Sequence, residues 1–284
     1  MPSAAVTRPA RPGFTLIELL VVITIILLIS GLFLSLSPGD GGGLPAAQRV
    51  VSTSLRTVRA MALMNRGNVG AGIPFNPRYR LLILNDPADL DGHLRTVVVA
   101  VGSVSAADAG ATDPNTIATT DTRYKWLAPE DPVRLPQGVY FVPPASDSTT
   151  TVNLPPGWGA GANTRRSIIG DLADSPGASS LDVSAGPPRM TFAALNQPTP
   201  LSGMTAAMGG RTWYYVEIQP SGQSGHLGRV MLVLATGALR PGSGSGAVLD
   251  VANESQFSAV ALRPSGEVSL TTGPEEMDTD LLKK

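Results

Sequence analysis

The first pattern along the chain is an unbroken apolar run, Phe14–Leu36 (FTLIELLVVITIILLISGLFLSL), in which Glu18 is the single charge. Coiled at about 1.5 Å per residue it reaches about 35 Å, enough to cross a hydrocarbon layer of about 30 Å. The run therefore predicts one membrane helix over 14–36. Ser37–Pro45 (SPGDGGGLP) follows as a cluster of helix breakers and reads as a hinge or plain linker. Beyond it, Ala46–Asn65 has helical periodicity, with Val51, Leu55, Val58 and Ala62 on one face and Gln48, Ser52, Arg56 and Arg59 on another. Pro45 suits a first helical position and Gly67 a stop. The apolar stripe should pack on a sheet, and the Arg56/Arg59 pair reads as a solvated face.

The remainder reads as short strands separated by turn residues: Tyr79–Leu84, Leu94–Val101, Tyr124–Leu127, Val139–Val142, Trp213–Gln219, Arg229–Thr236, Phe257–Arg263 and Glu267–Leu270. The dividers NDPADLDGH, PEDPVRLPQG, PSGQSG, GSGSG and PSG are turn chemistry. Residues 143–200 are rich in Pro, Gly, Ser and Thr and read as a loop-rich insertion, with one short helix at Arg166–Ala173. No repeat of fixed period occurs. The predicted class is α+β: a long N-terminal hydrophobic helix, then an amphipathic helix packed on an antiparallel sheet head spanning 46–274, then an acidic-to-basic tail at 275–284.

Composition narrows the chemistry. Among 284 residues there is no Cys and there are two His, His93 and His226. Disulfides, thiolate metal sites, Cys nucleophiles and multi-His metal centres are thereby excluded. Basic and acidic residues number 21 and 22, which argues against a broadly basic nucleic-acid binder. The leader-like segment 1–13 carries Arg8 and Arg11 and no acid. A positive N-terminal flank predicts an N-in, C-out orientation with the body exported. A secretory signal usually has an apolar region of about 7–15 residues and a small-residue cleavage site; this run is longer, and LSLSPGD is a poor site.

Glu18 sits four residues into the apolar run. A charge deep in lipid costs roughly 2.5–3.5 kcal/mol on insertion scales, so this carboxylate needs a partner. RPGFTLIELLVV resembles the processing site of type IV prepilins and type II secretion pseudopilins. The resemblance implies cleavage between Gly13 and Phe14 by a prepilin peptidase, N-methylation of Phe14, and Glu18 as the fifth residue of the mature chain. In a stack of subunits the new cationic terminus of one helix can meet Glu18 of its neighbour and form one attractive pair; the alternative is that Glu18 snorkels to the interface. Ser52–Val69 and the FSAVALRPSGEVSL hairpin resemble the post-membrane helix and C-terminal hairpin of H-type minor pseudopilins.

Other candidate chemistry is weaker. Asp86, Asp89 and Asp91, with His93, place oxygen ligands at intervals that suit Ca²⁺, but the same residues build a hairpin turn. Glu275, Glu276, Asp278 and Asp280 read as a solvated tail. No G-x-S-x-G, H-E-x-x-H or Walker A motif occurs, and neither His has flanks that suggest a catalytic triad. No enzyme activity and no cofactor are expected. Loss of 1–13 leaves 19 basic against 22 acidic residues, so no nucleic-acid partner is expected. The expected role is a minor pseudopilin, held in the inner membrane with its head in the periplasm. Its expected partners are prepilin peptidase and other pilin or pseudopilin subunits. Alternatives are a minor type IV pilin in adhesion, motility or DNA uptake, and a signal-anchored periplasmic binding module.

Overall fold

A computed structural model describes residues 17, 19–26, 43–64, 75–104, 109–113, 116–117, 123, 125–144, 147, 149–153, 189–191, 211–226, 229–252 and 256–273. The chain divides into two compact units, Met1–Asp40 and Gly41–Lys284, with the division inside the predicted hinge. In the first unit the described residues 17 and 19–26 are helical. The remainder of the predicted 14–36 helix, residues 37–42 of the hinge, the Arg166–Ala173 helix and the 275–284 tail lie outside the described residues.

The second unit opens with helix α1, Gly43–Met64. It begins three residues earlier than the periodicity predicts, taking 43–45 from the hinge. Pro45 is tolerated in the first turn, where its missing N–H has no partner to lose, and Leu44 is buried there. Leu44, Ala47, Val51, Leu55, Val58 and Ala62 form the apolar stripe. Gln48 and Ser52, which the sequence places on a separate polar face, are buried too. Gln48 Nε2 donates to the carbonyls of Ala259 (2.9 Å) and Thr271 (3.0 Å), so its amide is satisfied inside the core. Arg56 is exposed as expected, whereas Arg59 is half-buried.

Twelve strands follow among the described residues. The first sheet contains β1 (Phe75–Leu84), β2 (Thr96–Val104), β3 (Lys125–Leu127), β4 (Val133–Arg134), β7 (Arg189–Thr191) and β8 (Thr212–Ile218). Its order is β3-β2-β1-β8-β7, with β4 also on β2, and all its pairs are antiparallel. The β1–β2 register breaks between Phe75 and Arg78, at Pro77, which has no N–H for the ladder. The second sheet contains β5 (Val139–Phe141), β6 (Thr150–Asn153), β9 (Val230–Pro241), β10 (Ala247–Val251), β11 (Phe257–Leu262) and β12 (Val268–Thr272). Its order is β12-β11-β9-β10-β6, with β5 also on β9.

The head is therefore a two-sheet structure rather than one antiparallel sheet, and β6 pairs in parallel with β10. Strands β6 and β7 fall within the predicted loop-rich insertion 143–200. β4 lies in the predicted PEDPVRLPQG turn, and β10 lies beyond GSGSG. The two hairpin pairs that the apolar runs predict, β1–β2 and β11–β12, are both present.

Helix α1 packs against β1, β2 and β8 of the first sheet and β9, β11 and β12 of the second. The main core joins its stripe to Tyr79, Leu81, Ile83, Val97, Val99, Val216 and Ile218 on one side and to Val230–Ala235, Ala259 and Val260 on the other. A second, smaller core covers the opposite face of the first sheet: Leu82, Leu84, Val98, Ala100, Trp126 and Trp213, with Ala109 and Ile117. Two-sided burial explains why YRLLIL and RVMLVLAT are near-continuous apolar runs rather than alternating ones.

Candidate assembly site

In the N-terminal unit the described helix buries almost nothing. Ile17 is 72% exposed, and Leu19–Ile23, Ile25 and Ile26 are 47–57% exposed. The one hydroxyl, Thr24 Oγ1, donates back to the carbonyls of Val21 (2.8 Å) and Leu20 (3.0 Å). Returning the hydroxyl to the preceding turn leaves the side chains of the described residues 17 and 19–26 without a free polar group. An apolar surface of this kind marks a contact with lipid or with another protein, and each such side chain gains up to roughly 1.5–3 kcal/mol on full burial. Among the described residues no helix is long and apolar enough to cross a membrane. Gly13, Phe14 and Glu18 lie outside the described residues.

The acidic turn between β1 and β2 is accounted for by cations. Asp89 Oδ2 takes Arg211 Nη1 at 2.6 Å, and Asp86 Oδ2 lies 3.6 Å from Arg211 Nε. Asp89 Oδ1 accepts the Gly92 N–H (3.0 Å). Asp91 pairs with Arg134 and, at 3.3 Å, with Arg95. Burial pushes the Asp89 carboxyl up, but the Arg211 hydrogen bond, the Gly92 N–H and the nearby cations outweigh it and hold the group below its ordinary value. Asp86 and Asp89 thus share Arg211, while Asp91 turns to Arg134 and Arg95. Among the described residues no group of three His, Cys, Asp or Glu is placed to hold a metal ion.

His93 in the same turn is fully buried, with Nε2 2.9 Å from Thr150 Oγ1 of β6. Burial pushes its pKa down to about 4, against the smaller opposing pull of Asp147, Asp86, the Leu84 carbonyl and Asp89. The imidazole therefore joins the two sheets as a neutral group. Leu94 beside it has φ +57°, a left-handed conformation that costs a branched residue roughly 1–2 kcal/mol. Its surroundings hold it: the Leu94 N–H donates to the Leu84 carbonyl (2.9 Å) and its carbonyl accepts from Phe141 (2.9 Å).

On the outer face of the first sheet lies a cluster that sequence reasoning missed. The Arg80 guanidinium stacks between Trp126 (4.3 Å) and Tyr215 (4.0 Å). Its Nη2 lies 2.7 Å from Glu217 Oε2, while the other oxygen, Oε1, takes Arg78 Nη1 at 3.0 Å. Planar stacking plus a paired carboxylate is an arrangement that Arg supports and Lys does not. The signal was present in period 2: Arg78 and Arg80 share one face of β1, and Glu217 stands opposite Arg80 in the register.

With this geometry in hand, residues 8–34 match the family model described as the prokaryotic N-terminal methylation motif. The match supports a type IV pilin-like or pseudopilin protein, and implies prepilin peptidase processing and pilin-like subunit assembly. No curated protein and no solved structure matches the chain.

Proposed function

We propose that the chain is a structural subunit, a minor pseudopilin of a type II secretion pseudopilus, and that it acts by assembly rather than by catalysis. The observation that carries this reading is the methylation motif over 8–34, with RPGFTLIELLVV at its heart. Cleavage between Gly13 and Phe14 would expose a cationic amine one helical turn from Glu18. In a stack of subunits that amine and a neighbour's carboxylate convert two poorly solvated charges into one attractive pair. Removal of either partner then strands the other in low dielectric. The exposed apolar side chains at 17, 19–23, 25 and 26 supply the surface to be covered by lipid before assembly and by neighbouring helices after it.

The H-type assignment draws on α1 and on the β11–β12 hairpin, closed by Pro264-Ser265-Gly266 as its resemblance implies. The placement follows from the same reading: inner membrane, N-terminus in the cytoplasm, head in the periplasm. Mass spectrometry of the mature N-terminus tests the proposal. An N-methylated Phe14 is the expected result; an intact Met1, or a cut beyond Leu36, overturns it.

A further inference from the structure

The turn after β8 doubles back along that strand. Gln219 N–H donates to the Gln223 carbonyl (2.9 Å), Ile218 bridges Ser224, and Gly225 N–H donates to the Glu217 carbonyl (2.8 Å). The Glu217 N–H has a side-chain partner instead: it donates to His226 Nε2 at 3.0 Å. The His226 N–H in turn donates to Ser224 Oγ (3.2 Å). A ring nitrogen that accepts from a backbone N–H carries no proton, so the imidazole here is neutral with its proton on Nδ1. The groups facing it are Glu217 and Arg80, with the Tyr215 ring centroid 6.1 Å away. Burial, with the Arg80 charge adding to it and Glu217 opposing, pushes the ring's pKa down to about 4.

The same turn is wedged against two other elements. Ser224 N–H donates to the Pro264 carbonyl (3.0 Å) in the β11–β12 turn. Arg59 of α1 reaches the Ser265 carbonyl at 3.4 Å, and Arg263 and Glu267 on that turn pair with each other at 3.3 Å. Gly222 and Gly266 both have left-handed φ, +80° and +78°. A Cβ on Gly266 would run into the Gly222 carbonyl, and one on Gly222 would meet Leu63 Cδ2 at 2.8 Å. Whatever holds the 219–226 turn on β8 therefore also holds it against the C-terminal end of α1.

We propose that His226 is a proton-operated latch: neutral, it closes the 219–226 turn onto β8, and protonated, it sets N–H against N–H and releases that turn from β8, from the β11–β12 turn and from the end of α1. This rests on the geometry of the head and is independent of the filament reading. In the open turn the ring regains its ordinary value of 6.5, against about 4 when closed. Between those limits each unit of acidification makes opening up to about tenfold easier, a few hundred-fold in all.

The test is amide hydrogen exchange on the full-length chain between pH 7.5 and 4.5, each rate divided by that of an unstructured peptide at the same pH. Opening at Glu217 and Gly225 is expected to rise about tenfold per unit below 6.5. Val216 and Leu81, paired across β1–β8, report global opening, which frees His93 as well, and are expected to stay more protected than Glu217 and Gly225 at every pH. His226→Gln keeps an acceptor but cannot titrate, so its Glu217 profile should be flat. Because that variant could also loosen the turn, the wild-type ring is read directly by nitrogen NMR at neutral pH, where an unprotonated Nε2 is expected. A flat wild-type profile, the same slope in His226→Gln, or a proton on Nε2 overturns the latch.

Discussion

Two helical regions of this chain carry comparable apolar side chains and treat them in opposite ways. In α1, Val51, Leu55 and Val58 are fully buried between two sheets. At residues 17 and 19–26, Leu, Ile and Val remain about half exposed or more. The contrast separates a part whose apolar face is covered by the strands around it from a part whose described side chains stay open. Hydrophobic stabilisation follows the area removed from water, so the head's stability belongs to one molecule and that of the N-terminal segment to its surroundings.

The sharpest way to break the comparison is at Glu18. Glu18→Ala is expected to leave a processed subunit with an unchanged head that no longer enters filaments, an all-or-none loss read by shearing and immunoblotting. Normal incorporation would remove the charge pair from the proposal. Next in size is one substitution made in both regions. Leu55→Ala opens a cavity in a close-packed core and should lower head stability by roughly 2–5 kcal/mol. Leu20→Ala should leave the head's melting temperature unchanged, because that side chain is more than half exposed. Equal thermal shifts for the two variants would mean that the regions are energetically one.

How far each region was legible in the sequence follows the same divide. The apolar run, its lone acid and the motif match over 8–34 are local patterns that need no tertiary partner to be read. So are α1 and the β1–β2 and β11–β12 hairpins, where runs such as LRTVVVAV and FSAVALR end in turn residues. The second sheet was not legible as a sheet, because β6 finds β10 about a hundred positions away in parallel register, and nothing local specifies such a pairing. β4 and β7, of two and three residues, are too short to show a period. Gln48 falls outside the apolar stripe in the helical pattern and is a buried clamp on two strand carbonyls. Its partners become visible only once β11 and β12 are placed. The Asp86–Asp91 turn was read as a weak calcium loop against a hairpin turn; Arg211 and Arg134, distant in sequence, supply the countercharge.

Acid should divide the head further. His93 is held neutral with its pKa near 4 against 6.5 in an unfolded chain. Its contribution is complete above 6.5 and is withdrawn as pH falls from 6.5 toward 4, by about 1.4 kcal/mol per unit at most. Asp89 has the same sign in a lower window: its depressed carboxyl stabilises the head above 3.8, and that support is lost as pH falls below it. Urea titrations of the full chain at pH 7, 5.5 and 4.5 are thus expected to show falling midpoints above the range in which Asp89 loses its charge. His93→Gln should flatten part of that slope; an undiminished slope would assign the loss to other groups.

The smallest expected effect is at the rim of the same turn. Arg134 and Asp91 are close partners, yet their side chains are 56% and 66% exposed, so water screens the pair and each long side chain loses rotamer freedom in forming it. Exposed pairs of this kind contribute about 0–1 kcal/mol. Arg134→Ala should therefore shift the denaturation midpoint barely beyond error, and less still at high salt. Arg211 holds Asp89 with the two side chains only 31% and 26% exposed. Arg211→Ala leaves Asp89 half-buried without its main countercharge, and should cost clearly more than Arg134→Ala in the same assay. Equal costs would show that the turn is held by its backbone hydrogen bonds, Gly92 N–H and His93 N–H to Asp89, and that the arginines only decorate it.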